Sequence, residues 1–247
     1  MRFSQAWIVA SKDFSMFTKK RNILYTIVIL PLLITGLLSG VTWYIQHKGS
    51  GSVSPAELTT LLPAFTFFYF ILAAIIPTTI ASYSIVGEKV EKSMEPLLAT
   101  PTTDGEILFG KGLAAFVPAI LAVLGTSALF MGLCDAFTVE KLGYYYFPNE
   151  SSAVVLFLMV PLGVVVSVEW NVLVSSRVSD VRIAQQLGSL MVLPFAGIYV
   201  GGEIGLVPLG NTNDLLMIAA VLVFIFLLML YAVQAIFQRE AILTRWK

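Results

Sequence analysis

TDGEILFGKG, residues 103–112, admits two readings, and the choice between them decides the fold. Gly105, Gly110 and Lys111 match the phosphate loop G-x-x-x-x-G-K-[ST] up to its last position, where Gly112 replaces Ser or Thr. A phosphate loop lies between a buried strand and a helix, so that non-helical backbone N–H groups can surround the phosphates. The same residues begin with Thr103-Asp104-Gly105-Glu106, which reads as a capping box. In it the Thr103 hydroxyl accepts from the N–H of Glu106, and the Glu106 carboxylate accepts from the N–H of Thr103. Pro101, just upstream, suits a chain entering a helix. Gly112 also lacks the hydroxyl that would hold Mg²⁺. A Walker B-like run, FMGLCD, ends at Asp135, at the far end of the next apolar stretch, so the two half-motifs fall on opposite sides of it. The helical reading predicts that Gly105 and Gly110 occupy the opening turns of a helix that runs on into an apolar segment.

The composition says what that segment is. Of 247 residues, 57% are hydrophobic and 12% charged, and the mean hydropathy is +0.87. Globular chains have about 45–50% apolar and about 25% charged residues. The expectation is an all-α integral membrane protein. Formal net charge is zero, which gives no reason to expect nucleic acid as a partner. One cysteine, Cys134, and one histidine, His47, leave no internal disulfide and no Cys/His metal or catalytic cluster. No catalytic, cofactor-binding or metal-binding residue is therefore expected in this chain. The opening 22 residues carry charges at Lys12 and at Lys19 to Arg21 without a sustained apolar core, unlike a signal peptide.

A hydrocarbon layer of about 30 Å needs about 20 apolar residues per helix. Six stretches qualify, near 23–45, 61–86, 113–134, 152–175, 186–208 and 215–237, and no soluble domain fits between them. With the amino terminus inside, thirteen of the fifteen lysines and arginines fall on the cytoplasmic side, leaving Lys48 and Lys141 outside. Both termini are thus expected in the cytoplasm. Residues 1–22 space Phe3, Trp7, Ile8, Phe14 and Phe17 among polar groups, as in a helix lying along the inner membrane surface or in a plain lead-in to the first span.

The loop at 87–112 is the most distinctive segment. Glu88 and Lys92 are spaced as an i,i+4 pair, Glu91 and Glu95 follow, and Leu97 and Leu98 form an apolar tip between Pro96 and Pro101. The pattern Glu88, Glu95-x-Leu97-Leu98-x-x-Pro101, Glu106-Ile107-Leu108-x-Gly110-Lys111 resembles the intracellular loop of type-2 ABC (ATP-binding-cassette) transporter permeases. SSRVSDVRIAQQLGSLMVLP, residues 175–194, is similar to that family's second cytoplasmic loop and the proline of its fifth span. The resemblance covers essentially the whole chain. It implies a single permease domain over 1–247 in the cell membrane, forming the substrate path with a second permease subunit in a homo- or heterodimer. A separate ATPase subunit would hold the ATP and Mg²⁺. The resemblance also implies export, and a coupling helix at about 88–99 in which Glu88, Glu91, Glu95, Leu97 and Leu98 meet the ATPase.

Other features have two readings each. Glu169 lies inside the apolar run of the fourth span, where a charge costs about 2.5–3.5 kcal/mol on insertion scales. It either contacts substrate or a gate, or pairs structurally with a neighbouring helix. Gly197, Gly201 and Gly205, like Gly36 and Gly40, recur every fourth residue and serve either a subunit interface or internal packing. GGEIGLVPLGNTND, residues 201–214, is too polar and Gly-rich for a lipid-facing helix and suggests that the fifth span ends near residue 200, with an external re-entrant or interfacial segment after it. Phe65, Phe67, Phe68, Tyr69 and Phe70 either line an apolar route or simply pack, and YYYFP at 144–148 reads as an aromatic belt in contact with membrane lipid. An intramembrane lipid-modifying enzyme would need clustered acids, histidines or serines near one face, and a secondary carrier would show internal repeats. The chain offers neither pattern.

Overall fold

Local capping signals set where the helices begin. The computed structural model describes residues 3–17, 19–47, 54–90, 103–206 and 208–236. Thr103 and Glu106 form the reciprocal capping box expected of them, with Thr103 N donating to Glu106 Oε2 at 2.9 Å and Glu106 N to Thr103 Oγ1 at 3.3 Å. The helix they open, Asp104–Leu142, has 39 residues. At 1.5 Å per residue it is about 58 Å long, well beyond one hydrocarbon thickness. Residues 104–112 are therefore helix, not loop. The helix stops only where Gly143 takes the left-handed conformation at φ 77°.

Six helices among the described residues are long and apolar enough to cross a membrane: span 1 Tyr25–His47, span 2 Pro55–Ser82, span 3 Gly105–Leu142, span 4 Glu150–Arg177, span 5 Val181–Glu203 and span 6 Thr212–Gln234. No strand occurs among the described residues. Span 2 starts earlier than hydropathy alone predicts because Ser54 and Glu57 form a second capping box around Pro55, a residue that suits a first helical turn. The π-helical turns Tyr25–Ile29 and Val155–Met159 end just before Pro31 and Pro161. A proline lacks the N–H that would close the preceding turn, and a widened turn accommodates it. Span 5 is two helices, Val181–Ser189 and Val192–Glu203, the first capped by Asp180, whose carboxylate accepts from Arg182 N at 2.6 Å.

Within 201–214 the helix of span 5 runs three residues past position 200. Residues 201–203 complete span 5, Gly205 follows at φ 79°, and Leu206 N donates back to Gly201 O at 2.9 Å. This is a glycine-terminated helix end, and the next helix begins at Thr212.

Spans 2 and 4 make the centre, with 61% of each apolar window buried against 17% for span 6. Without a hydrophobic drive between helices in lipid, close approach and polar pins hold such a bundle. Gly163 supplies the approach: a Cβ there would lie 2.9 Å from both Phe70 and Phe195, whose rings stack at 4.4 Å. The pins are Thr35 Oγ1 with Tyr69 OH at 2.8 Å, joining spans 1 and 2, and Asn171 Nδ2 to Thr78 Oγ1 at 3.1 Å, joining spans 4 and 2. Gly188 of span 5 lies directly over the Asn171 amide, where a Cβ would collide with the amide oxygen. Phe67, Tyr69 and Phe70 are fully buried in this core, so the aromatic run of span 2 packs there. At the other end, Asp135 accepts from the N–H of Tyr146 and of Phe147 at 3.0 and 3.1 Å. The Walker B-like aspartate is thus a turn anchor, and of the aromatic residues of YYYFP only Tyr144 and Tyr145 are left well exposed.

Candidate functional site

The helix that opens at Thr103 presents two faces within its first three turns. Residues 107, 110, 111 and 114 fall on one side of the 3.6-residue period, and 105, 108, 109, 112 and 116 on the other. Each side builds a different site.

On the first side the amino-terminal helix, Phe3–Phe17, crosses span 3. Ala6, Ala10, Ile107 and Ala114 are fully buried, and a Cβ on Gly110 would stand 2.6 Å from the Ala6 carbonyl oxygen. The helix is therefore docked on the bundle along one face, while Trp7 and Ile8 on its other face are exposed. The contact brings four charges together. Lys111 Nζ lies 2.6 Å from Glu88 Oε2 and 3.7 Å from Asp13 Oδ2, and donates to the Ser84 carbonyl oxygen at 2.7 Å. Lys12 Nζ meets the other Glu88 oxygen at 2.7 Å, and the Ser84 hydroxyl donates to Asp13 Oδ2. Asp13, Glu88 and Lys111 have almost no exposed side chain, whereas Lys12 is half exposed. Burial pushes the Asp13 carboxyl above its ordinary 3.8, an effect that Lys111 and the Ser84 hydroxyl oppose. Lys20 adds a contact over the Tyr83 ring at 5.2 Å. Lys12, Asp13 and Lys20 thus hold the π-helical turn Tyr83–Gly87 and Glu88 to the amino-terminal segment, and Lys111 holds them to the start of span 3.

This placement bears on two expectations. Lys111, which sequence position puts at the cytoplasmic edge of span 3, is the buried centre of an ion cluster. Glu88, expected on the surface of a coupling helix, uses its two carboxylate oxygens on Lys12 and Lys111. Its sequence spacing points to Lys92, which lies outside the described residues, as do Glu91, Glu95, Leu97 and Leu98. Its partner Lys12 is 76 positions away in sequence, and no local pattern joins the two.

On the other side of span 3 lies a cleft of about 440 Å³, closed by spans 4 and 6. Leu108, Phe109, Gly112, Phe116 and Phe226 line it, with Glu169 from span 4 and Gln234 from span 6 as polar groups. Glu169 is 9% exposed, and its Oε2 is buried with no hydrogen-bond partner or ion pair among the described residues. Among the described residues no group of a neighbouring helix pairs with that oxygen.

The small-residue stripe divides in two. Gly197 and Gly201, like Gly36 and Gly40, would have no described atom of another element within 4 Å of an added Cβ, so none of the four serves internal packing among the described residues. Gly205 ends span 5 by its left-handed backbone and does not continue the stripe within the helix. Among the glycines that do pack internally, Gly110, Gly163 and Gly188 escape sequence reading. Each is needed because of an apolar or amide-bearing partner far along the chain, which one sequence does not reveal.

Comparison with curated proteins finds no match. Comparison with family models matches residues 7–213 to the ABC-2 family transporter protein, a stretch that takes in the cluster at Lys111, the loop and spans 1 to 5 and stops as span 6 begins. With six apolar helices and this match over most of its length, the chain belongs to the ABC-2 transporter family, as a multi-pass permease of an ABC transporter.

Proposed function

We propose that this permease is the membrane half of an exporter, driven by a separate ATPase subunit that binds ATP and Mg²⁺ and grips the segment at about 88–99. Both termini lie in the cytoplasm, in keeping with the distribution of lysine and arginine. Two permease subunits pair, and the open glycines of spans 1 and 5, Gly36, Gly40, Gly197 and Gly201, supply surfaces on which helices can approach closely. Glu169 is the intramembrane contact for cargo.

One observation carries the reading. The loop that would meet the ATPase is fastened at both roots by the same buried lysine, since Lys111 after the loop binds Ser84 and Glu88 before it. A lever must be stiff where it enters the machine it moves, and a largely buried, multiply bonded ion cluster is stiff. Glu88 here holds the root of the lever, and Glu91, Glu95, Leu97 and Leu98 make the contact with the ATPase. The test is co-expression with candidate ATPase subunits after replacing Glu91, Glu95, Leu97 and Leu98 together with alanine. Co-purification of the ATPase and ATP-driven transport should both be lost. Survival of both would remove the coupling assignment. ATP-dependent accumulation in inside-out vesicles would support export, and accumulation only in right-side-out vesicles would refute it.

A further inference from the structure

We propose that the cleft between spans 3, 4 and 6 binds a lipophilic monocation, an ammonium- or phosphonium-type charge carried on an apolar body, with Glu169 as its counter-charge. The proposal deepens the reading of Glu169 as the cargo contact and rests on that reading. The cleft has the size of a small-molecule site, which typically encloses about 300–1,000 Å³ behind mostly apolar walls with a few placed polar groups. Its one charged lining residue is a carboxylate that is nine-tenths buried and has no partner among the described residues.

The surroundings fix the sign and number of charges that fit. Phe109, Phe116 and Phe226 line the same cleft and present aromatic surfaces, whose faces attract cations. No lysine, arginine or histidine lines it among the described residues, so an anion would meet only the like charge of Glu169. A neutral guest would leave the carboxylate unpaired, and a second positive charge would have no second acid to meet. An apolar body with one positive charge satisfies every wall. The natural source is either a small cargo molecule or the amine of a lipid headgroup, and both share this chemistry.

Gly112 provides a second handle. A Cβ there would lie 3.9 Å from Val168 Cγ1, an ordinary contact, so a larger side chain at 112 extends into the cleft without colliding with backbone. Gly112→Leu therefore occupies the cleft while leaving Glu169 in place.

The test uses the full permease purified in non-ionic detergent, without ATPase, and equilibrium dialysis with tetraphenylphosphonium. Tetraphenylborate, of the same shape and opposite charge, is the control. The wild-type protein should bind the phosphonium at least tenfold more tightly than Glu169→Gln or Gly112→Leu, and should show no such preference for the borate. Equal phosphonium binding by wild type and Glu169→Gln, or equal binding of phosphonium and borate, would overturn the proposal. If both variants elute as the wild type does on gel filtration, loss of binding is not loss of fold. Added phosphatidylethanolamine separates the sources: displacement assigns the cation to a lipid headgroup, and retention assigns it to small cargo. Because no ATPase is present, failure of the coupling assignment leaves this result untouched, and failure here leaves coupling standing.

Discussion

Glu88 and Glu169 are both buried acids near the start of span 3, yet their surroundings are opposite. Glu88 is met by two lysines, one on each carboxylate oxygen, within a cluster that also holds Asp13 and Ser84. Glu169 faces an apolar cleft with no cationic neighbour among the described residues. A buried charge whose partner is removed costs several kcal/mol, so a paired acid is committed to structure, whereas an unpaired one in a cleft remains available to a ligand. The two sites share the opening turns of span 3, one on each face. A movement of the loop roots that turns this helix would also move Leu108, Phe109 and Gly112 in the cleft wall, which gives a physical route from the proposed ATPase contact to the proposed cargo site.

The widest break in this comparison is expected from charge removal. Lys111→Met strands Asp13 and leaves Glu88 with only the half-exposed Lys12, and should destabilise the protein by about 3–5 kcal/mol. Glu169→Gln strands nothing and should leave stability within about 0.5 kcal/mol. Thermal unfolding in one detergent measures both, and an equal loss for the two variants would erase the distinction between paired and unpaired acid.

A smaller effect is expected at the crossing of the amino-terminal helix. Gly110→Leu forces a side chain against the Ala6 backbone and Val9, so overpacking should cost about 1–3 kcal/mol. Labelling of a cysteine placed at Ala6 by a water-soluble maleimide should rise as the helix detaches. If the cysteine stays protected and stability is unchanged, the docked helix is not held as described.

The smallest expected effect concerns pH. Asp13 has a raised pKa in the folded protein, chiefly from burial, so between its ordinary 3.8 and that raised value the folded state binds more protons than the unfolded one. Its contribution to stability is then largest below 3.8, falls as pH rises through this window, and is constant above it. Asp13→Asn should flatten that slope. A slope unchanged in the variant would assign it to another group.

Much of this is legible along the chain because its causes are local. The capping box at Thr103 and Glu106 decides helix over phosphate loop within four residues, and the six spans follow from the length of apolar runs that a bilayer requires. The extent of spans 2 and 3 is harder to read, because capping signals at Ser54 and the stop at Gly143 extend helices past the point where hydropathy falls. The site is legible in part. Glu169 stands out as a charge in an apolar run, while the role of Lys111 is hidden, since its position beside Gly110 looks like a membrane edge.

The sequence by itself determined that the chain is a six-span membrane protein, that a helix starts at Thr103, and which permease family it resembles, because turn chemistry, capping and the dielectric of the bilayer act over a few residues at a time. Only the tertiary structure decided which acids are paired. Lys12 and Asp13 reach Glu88 and Ser84 across more than seventy positions, and Glu169 is left alone because the helices around it present no cation among the described residues. Pairing in a low-dielectric interior depends on distances between elements distant in sequence, and those distances are set by where glycines such as Gly110 let helices meet.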